Sequence, residues 1–199
     1  TMKMRELLAA GAIGTVQLIQ ASFGFPLTDV ANIRMNPELA GGALMDAGSY
    51  PVSFVRTVVG MKPFRVFAMA RWAASGVDAT TMATLEFSNG TLAQISCTFA
   101  SARHRHAFIG GDAGSISTTY FNDTSTTFPP LLEVKRGTGW EAPRDIIESA
   151  MIGGFLAEAE SFHDLVRHGW AHWSGATPEE SIDIALTLDA LAVSARSGK

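Results

Sequence analysis

"NIRMNPELAGGALMDAGSYPVSFVRTVVG" occupies residues 32–60. A Gly-Gly pair, Gly41 and Gly42, leads into an apolar run that carries Asp46 and Tyr50 four residues apart. Four residues are about one helical turn, so a helix here would project a carboxylate and a phenol from one face. The pattern reads as helical from Gly42 to Gly60, with Leu44, Ala47, Phe54, Val55 and Val58 as the buried stripe. Pro51 interrupts it, because an interior proline loses a hydrogen bond and clashes with the carbonyl four residues back. The run therefore kinks at Pro51, or a new helix begins near it. Either way Asp46 and Tyr50 fall at its irregular end.

Outward from this stretch the elements alternate in a simple order. "MKMRELLAAG" is helical and stops at Gly11, while "IGTVQLIQASFGF" (13–25) alternates like a strand with both faces partly apolar. Residues 27–41 read as loop. "KPFRVFAMARWA" (62–73) is the next strand. In "TMATLEFSNGTLAQISCTF" (81–99), Asn89-Gly90 between two β-prone runs predicts a hairpin with a two-residue type I′ turn. "RHAFIGGDAGSISTTYF" (105–121) repeats the hairpin, and "LLEVKRG" (131–137) adds a strand.

The C-terminal third turns helical. "GGFLAEAESFHDLVRHG" (153–169) carries Phe155, Leu156, Ala159, Phe162, Leu165 and Val166 at helical spacing. "TPEESIDIALTLDALAVSARSGK" (177–199) opens with a capping box, Thr177 as N-cap and Glu180 at N3. No long helix separates the middle strands. The expected fold is α+β: a large, mainly antiparallel sheet with helices packed on one face. The other face is left for oligomerisation. "RVFAMARWA" sets Val66, Ala68, Ala70 and Trp72 on one side, and Phe67, Met69 and Ala73 nearer the other. An apolar second face predicts a homodimer or dimer-based oligomer.

Bulk properties narrow the function. Hydrophobic residues make up 47% and charged ones 17% of the 199 residues, enough for the core of a single domain, 1–199. A net charge of −4, without a Lys/Arg cluster, argues against nucleic acid as the partner. No apolar run is long enough to span a bilayer, so no membrane partner is expected. The start of the chain lacks the features of a signal peptide. The lone Cys97 excludes an internal disulfide and fits a cytoplasmic location.

Several residues invite a chemical reading. "GGDAGS" (110–115) superficially resembles a dinucleotide-binding glycine cluster, but β-prone residues follow it where a helix is required, so it reads as a turn. His168 and His172 are four apart and His104 and His106 two apart, yet Gly169 interrupts the first pair and neither has further ligands nearby in sequence. No metal site is expected. Cys97 reads as a small buried thiol. Asp46 and Tyr50, with Arg34 upstream, remain: on spacing alone they are either active-site groups or a helix cap and a packed ring.

"GGALMDAGSYPV" (41–52) resembles the second-domain signature of the glucose–fructose oxidoreductase / inositol dehydrogenase (Gfo/Idh/MocA) family. "AAGAIGTVQLIQASF", "TLEFSNGTLAQISC", "FIGGDAGSI", "FLAEAESFHDLVRHG" and "PEESIDIALTLDALAVSARSGK" follow in the family's order, so the resemblance covers almost the whole chain. It implies a two-domain NAD(P)-dependent oxidoreductase acting on a sugar, polyol or related diol. A Rossmann domain would bind NAD or NADP and supply a lysine, and neither that fingerprint nor a Glu-Lys-Pro motif occurs here. The chain thus resembles the substrate-side domain, with residues 1–11 part of the linking helix, no cofactor bound by itself and no activity alone.

Tyr50 matches the branch with tyrosine, such as glucose–fructose oxidoreductase and dihydrodiol dehydrogenase, rather than the branch with histidine. The resemblance makes Tyr50 and Asp46 catalytic and Arg34 substrate-binding. A free tyrosine ionises near pH 10, so proton transfer at neutral pH needs a cation beside it. In the family that cation is the lysine. The alternative is a non-catalytic binding or oligomerisation module with the same fold.

Overall fold

The computed structural model describes residues 1–120, 131–148 and 153–198. Helix α1 (Met2–Ala9) leads through a Gly11 turn, φ 68°, into strand β1 (Val16–Gly24). Two single 3₁₀ turns, Ile33–Met35 and Pro37–Leu39, follow where the sequence reads as loop. Then come α2 (Ser49–Val59), β2 (Arg65–Trp72), β3 (Asp78–Glu86) and β4 (Leu92–Thr98). The sheet continues with β5 (His104–Gly111), β6 (Gly114–Thr118), β7 (Leu131–Arg136) and β8 (Arg144–Glu148). Helices α3 (Gly154–His168) and α4 (Pro178–Ser197) end the chain.

The eight strands of the described residues form one sheet, ordered β2-β3-β4-β1-β5-β6-β7-β8. It is antiparallel except where β1 runs parallel to β4, with Ile19 against Ala93 and Phe23 against Cys97. A parallel pair needs a crossover, and the segment of α2, β2 and β3 provides it. The α+β architecture expected from the sequence is therefore present. Strand β8 was not legible in "RDIIE", a short run with charge at both ends.

Two turns differ from expectation in an instructive way. The β3–β4 hairpin closes through Gly90 N–H to Phe87 C=O, 2.9 Å, and Phe87 N–H to Thr91 C=O, 3.1 Å. Gly90 has φ 87°, while Asn89 is not in the left-handed region and instead accepts from Thr91 N–H through its side chain. This is a three-residue loop, a type I turn followed by a left-handed glycine, rather than the two-residue type I′ turn. Asn-Gly marks both, and only the register of the flanking strands separates them. In the first stretch the helix begins at Ser49, not after Gly42, so Pro51 sits in its first turn, where a missing N–H costs nothing.

The core lies between the sheet and α2 with α4. Ile19, Ile95, Cys97, Ile109, Ile116 and Val134 from the strands meet Val52 and Val55 of α2 and Leu191 of α4, all essentially fully buried. Leu44, Ala47 and Phe54 join them as expected, with Val58 partly buried. Arg56 ties α2 to α4 through Asp183, 3.1 Å, and Glu180, 3.7 Å. On edge strand β2, the Ala68 N–H donates to Ser194 Oγ of α4 at 3.0 Å, so this edge group is satisfied by a helix side chain. The capping box of α4 forms as read, Glu180 N–H to Thr177 Oγ1 and Thr177 N–H to Glu180 Oε2. Helix α3 is different: it packs against the 3₁₀ turn Trp170–His172 and carries no buried residue.

On the sheet face away from these helices, Phe67, Met69, Met82 and Leu92 stand exposed together with Leu18. Val66, Ala68 and Ala70 turn inward, as the alternation predicts, but a register shift between Arg71 and Trp72 breaks the pattern at the strand's end. The centre of this face is a polar ladder: Gln20–Gln94, Ser22–Ser96 and Thr80–Thr98 bond across neighbouring strands.

Candidate functional site

The residues before α2 are folded by close backbone approach. Gly42 N–H donates to Arg34 C=O at 2.8 Å, and a Cβ on Gly41 would lie 2.5 Å from that same carbonyl oxygen. Gly42 has φ 121°, and a Cβ there would overlap the Asp78 carboxylate. Both glycines are thus required by contact and one also by backbone conformation. Folding the loop back onto the turn brings Arg34 to Asp46, Nε to Oδ2 at 2.9 Å. The contact is an ion pair and not an aligned hydrogen bond, because the Nε–H does not point along it. Arg34 remains 41% and Asp46 30% exposed at the side chain, so the pair is open to a ligand.

Asp46 lies in the turn ahead of α2 and Tyr50 in the helix's first turn. The Asp46 side chain does not cap α2; its backbone carbonyl accepts from Ser49 Oγ at 2.6 Å. Tyr50 is 36% exposed, with its ring edge-on to Phe23 at 5.2 Å and 83°. The sequence-predicted trio is therefore gathered at the N-terminal end of α2, with Arg34 and Asp46 paired.

Three further residues at this site were missed by the sequence reading. Arg105 of β5 is only 8% exposed, and its guanidinium carbon lies 4.4 Å from the Tyr50 ring centre, 4.7 Å from Tyr120 and 4.9 Å from Phe23. Burial pulls its pKa down, while Tyr120 and Tyr50 favour its charge. Tyr120 follows β6 with φ 34°, a left-handed conformation costly for a tyrosine, and its hydroxyl donates to Ser22 C=O at 3.0 Å. Burial pushes its phenol well above the usual tyrosine range. Asp78 is the third: buried at 8% exposure, it accepts from Leu44 N–H at 2.8 Å and Thr81 Oγ1 at 2.7 Å, pinning the turn that carries Asp46. No motif marks Arg105, because an arginine inside an alternating strand reads as a solvated position.

The other candidates resolve into structural roles. "GGDAG" is the β5–β6 hairpin, and Asp112 in its turn accepts from Thr15 N–H at 2.8 Å. A hairpin with a committed acidic side chain does not fit a dinucleotide, which needs a helix N-terminus after the glycines. Cys97 is fully buried and burial raises its pKa, so the thiol stays protonated. His104 points Nδ1 at Ala102 C=O, 2.9 Å, leaving Nε2 to accept from Ser22 Oγ, 2.9 Å. Its ring lies 5.9 Å from His106, and the rings of His168 and His172 are 5.2 Å apart. Among the described residues no three His, Cys, Asp or Glu side chains gather where they could hold a metal ion.

A family model for the GFO/IDH/MocA C-terminal domain matches residues 1–117. The chain belongs to the GFO/IDH/MocA family. It is 34% identical over 178 residues to trans-1,2-dihydrobenzene-1,2-diol dehydrogenase of Danio rerio, covering 82% of this chain and 53% of that protein. It is 30% identical over 198 residues to D-xylose 1-dehydrogenase (NADP(+)) 2 of Haloferax volcanii, covering 96% and 57%. The chain spans little more than half the length of these curated relatives. Its fold is that of aldose-aldose oxidoreductase from Caulobacter crescentus in complex with glycerol, with a TM-score of 0.86 at 20% identity, covering 100% of this chain and 58% of that one. A 3-ketoreductase from Actinomadura kijaniata in complex with NADP and TDP-benzene gives 0.81 at 23%, covering 97% and 58%.

Proposed function

We propose that this chain is the substrate-side domain of an NAD(P)-dependent oxidoreductase that transfers a hydride between a nicotinamide and a hydroxyl-bearing carbon of a sugar, polyol or diol. The observation that carries this reading is the Arg34–Asp46 ion pair in the turn that leads into α2, with Tyr50 in that helix's first turn. The named activities of the GFO/IDH/MocA relatives support it. The nicotinamide, when bound, accepts or supplies the hydride. Tyr50 takes the hydroxyl proton as the carbon is oxidised and returns it in the reverse direction. Asp46 orients the reacting hydroxyl, and Arg34 both holds Asp46 and donates to neighbouring substrate hydroxyls.

The dinucleotide belongs, in this reading, to a part of the protein other than this chain, and the hairpin formed by the Gly110–Gly114 glycines supports it. The exposed apolar residues of β2, β3 and β4 support a homodimer, or an oligomer built from dimers, through the outer sheet face. A cytoplasmic location fits a lone, buried thiol. Among the described residues no helix is long and apolar enough to cross a membrane.

The test is turnover by the full-length protein with NAD and NADP against a panel of aldoses, polyols and vicinal diols, before and after Tyr50→Phe. Oxidation of one class that is lost in the variant supports the reading. A full-length protein that binds those compounds without reducing either nucleotide belongs instead to the non-catalytic alternative.

A further inference from the structure

We propose that Arg105 is a positioning residue for Tyr50: its buried guanidinium fixes the plane of the Tyr50 ring and stabilises negative charge on the ring oxygen. This rests on the reading of Tyr50 as the proton-transfer group. Tyr50 is held from two directions, by the Phe23 ring edge-on at 5.2 Å and by the guanidinium 4.4 Å from its centre. A cation over a phenol face is attracted to the ring, and attracted more strongly once that ring carries a full negative charge. Water would screen such a contact, but Arg105 is 8% exposed.

Among the described residues the guanidinium meets the rings of Tyr50 from α2, Tyr120 just after β6 and Phe23 of β1. Cys97 of β4 acts on Tyr120 at longer range and keeps its proton. The guanidinium stands over both phenol rings, 4.4 Å from the centre of Tyr50 and 4.7 Å from that of Tyr120, so its positive charge faces both. Tyr120 is committed to Ser22 C=O and to Arg105, and burial opposes its ionisation. Of the two tyrosines in the chain, Tyr50 is therefore the one the cation can serve in proton transfer. When an alcohol proton passes to the Tyr50 oxygen, Arg105 gains and loses nothing. Tyr120, at φ 34°, places its ring on the third side of the guanidinium.

Nitration by tetranitromethane, which attacks phenolate, reads this directly because peptide masses separate Tyr50 from Tyr120. The whole chain is compared with Arg105→Met, Arg105→Gln and Arg105→Lys at one mildly alkaline pH, with melting curves alongside. We expect Tyr50 nitration to slow about five- to tenfold in the neutral variants and to recover in Arg105→Lys. A purely structural Arg105 gives the opposite sign, since loosening the box exposes Tyr50 and speeds nitration. Unchanged or faster nitration overturns the proposal, and so does failure of both neutral variants to fold. In the full-length protein the neutral variants should lower kcat more than they raise KM. Slowed nitration with unchanged kcat would leave the ring–cation coupling standing and remove Tyr50 from catalysis.

Discussion

The Asp78 carboxylate accepts the Leu44 backbone N–H at 2.8 Å across 34 residues of chain, and this bond holds the turn on which Asp46 rides. Ala43 N–H adds a second tie to Asp78 C=O at 2.8 Å. Removing the carboxylate by Asp78→Ala leaves the Leu44 N–H and the Thr81 hydroxyl buried without that acceptor. The expected loss is about 1–3 kcal/mol in chemical unfolding. A loss below about 0.5 kcal/mol would mean that the turn stands without Asp78.

Asp78 also gives the chain a pH signature. Burial raises its pKa, outweighing the bonds from Thr81 and Leu44 and the charge of Arg196. The folded state thus binds this proton more tightly than the unfolded chain. Its contribution to stability is fully present below the ordinary carboxyl value, near 3.9, and is lost as pH rises through the folded value. Asp78→Asn cannot ionise, so its stability relative to the parent chain should increase as pH is raised from 4 to 7. Melting curves across that range check the sign. A parent chain that gains on the variant as pH rises contradicts it.

Gly48 is required by contact alone. Its φ of −70° suits any residue, but a Cβ would overlap the Leu44 carbonyl oxygen and lie 3.0 Å from Cys97 Sγ. Gly48→Ala should destabilise the domain by about 1–3 kcal/mol through overpacking. Chemical unfolding that shows a stabilised variant would mean the turn relaxes freely.

The outer sheet face makes its own prediction. Met69 and Met82 are paired across β2 and β3 and are 61% and 57% exposed. Light scattering at micromolar concentration should report a dimer mass, and Met69→Lys with Met82→Lys should shift it to monomer. A monomer mass for the parent chain contradicts the sheet-face dimer.

Much of this was legible from patterning because local signals agreed with tertiary packing. Thr177-Pro178 with Glu180 announced α4, whereas the apolar run after Gly42 read as helix where the structure keeps a turn up to Ser49. What escaped depends on contacts between distant segments. The parallel β1–β4 pair cannot be read from alternation, since strand direction leaves no mark on a period of two. Asp78 is an ordinary residue at a strand start until Leu44 is brought to it. Arg105 sits in a strand whose alternation gives no reason for a buried cation until three rings from β1, α2 and the end of β6 enclose it.

A Tyr50 that moves the substrate proton must show itself in the kinetics of Tyr50→Phe in the full-length protein. The variant keeps the ring, its edge contact with Phe23 and its stack on Arg105, and removes only the hydroxyl. We expect kcat to fall by about 100- to 10,000-fold, with cofactor affinity and melting temperature little changed. A kcat within about threefold of the parent protein would return Tyr50 to a packing role and leave proton transfer to another group.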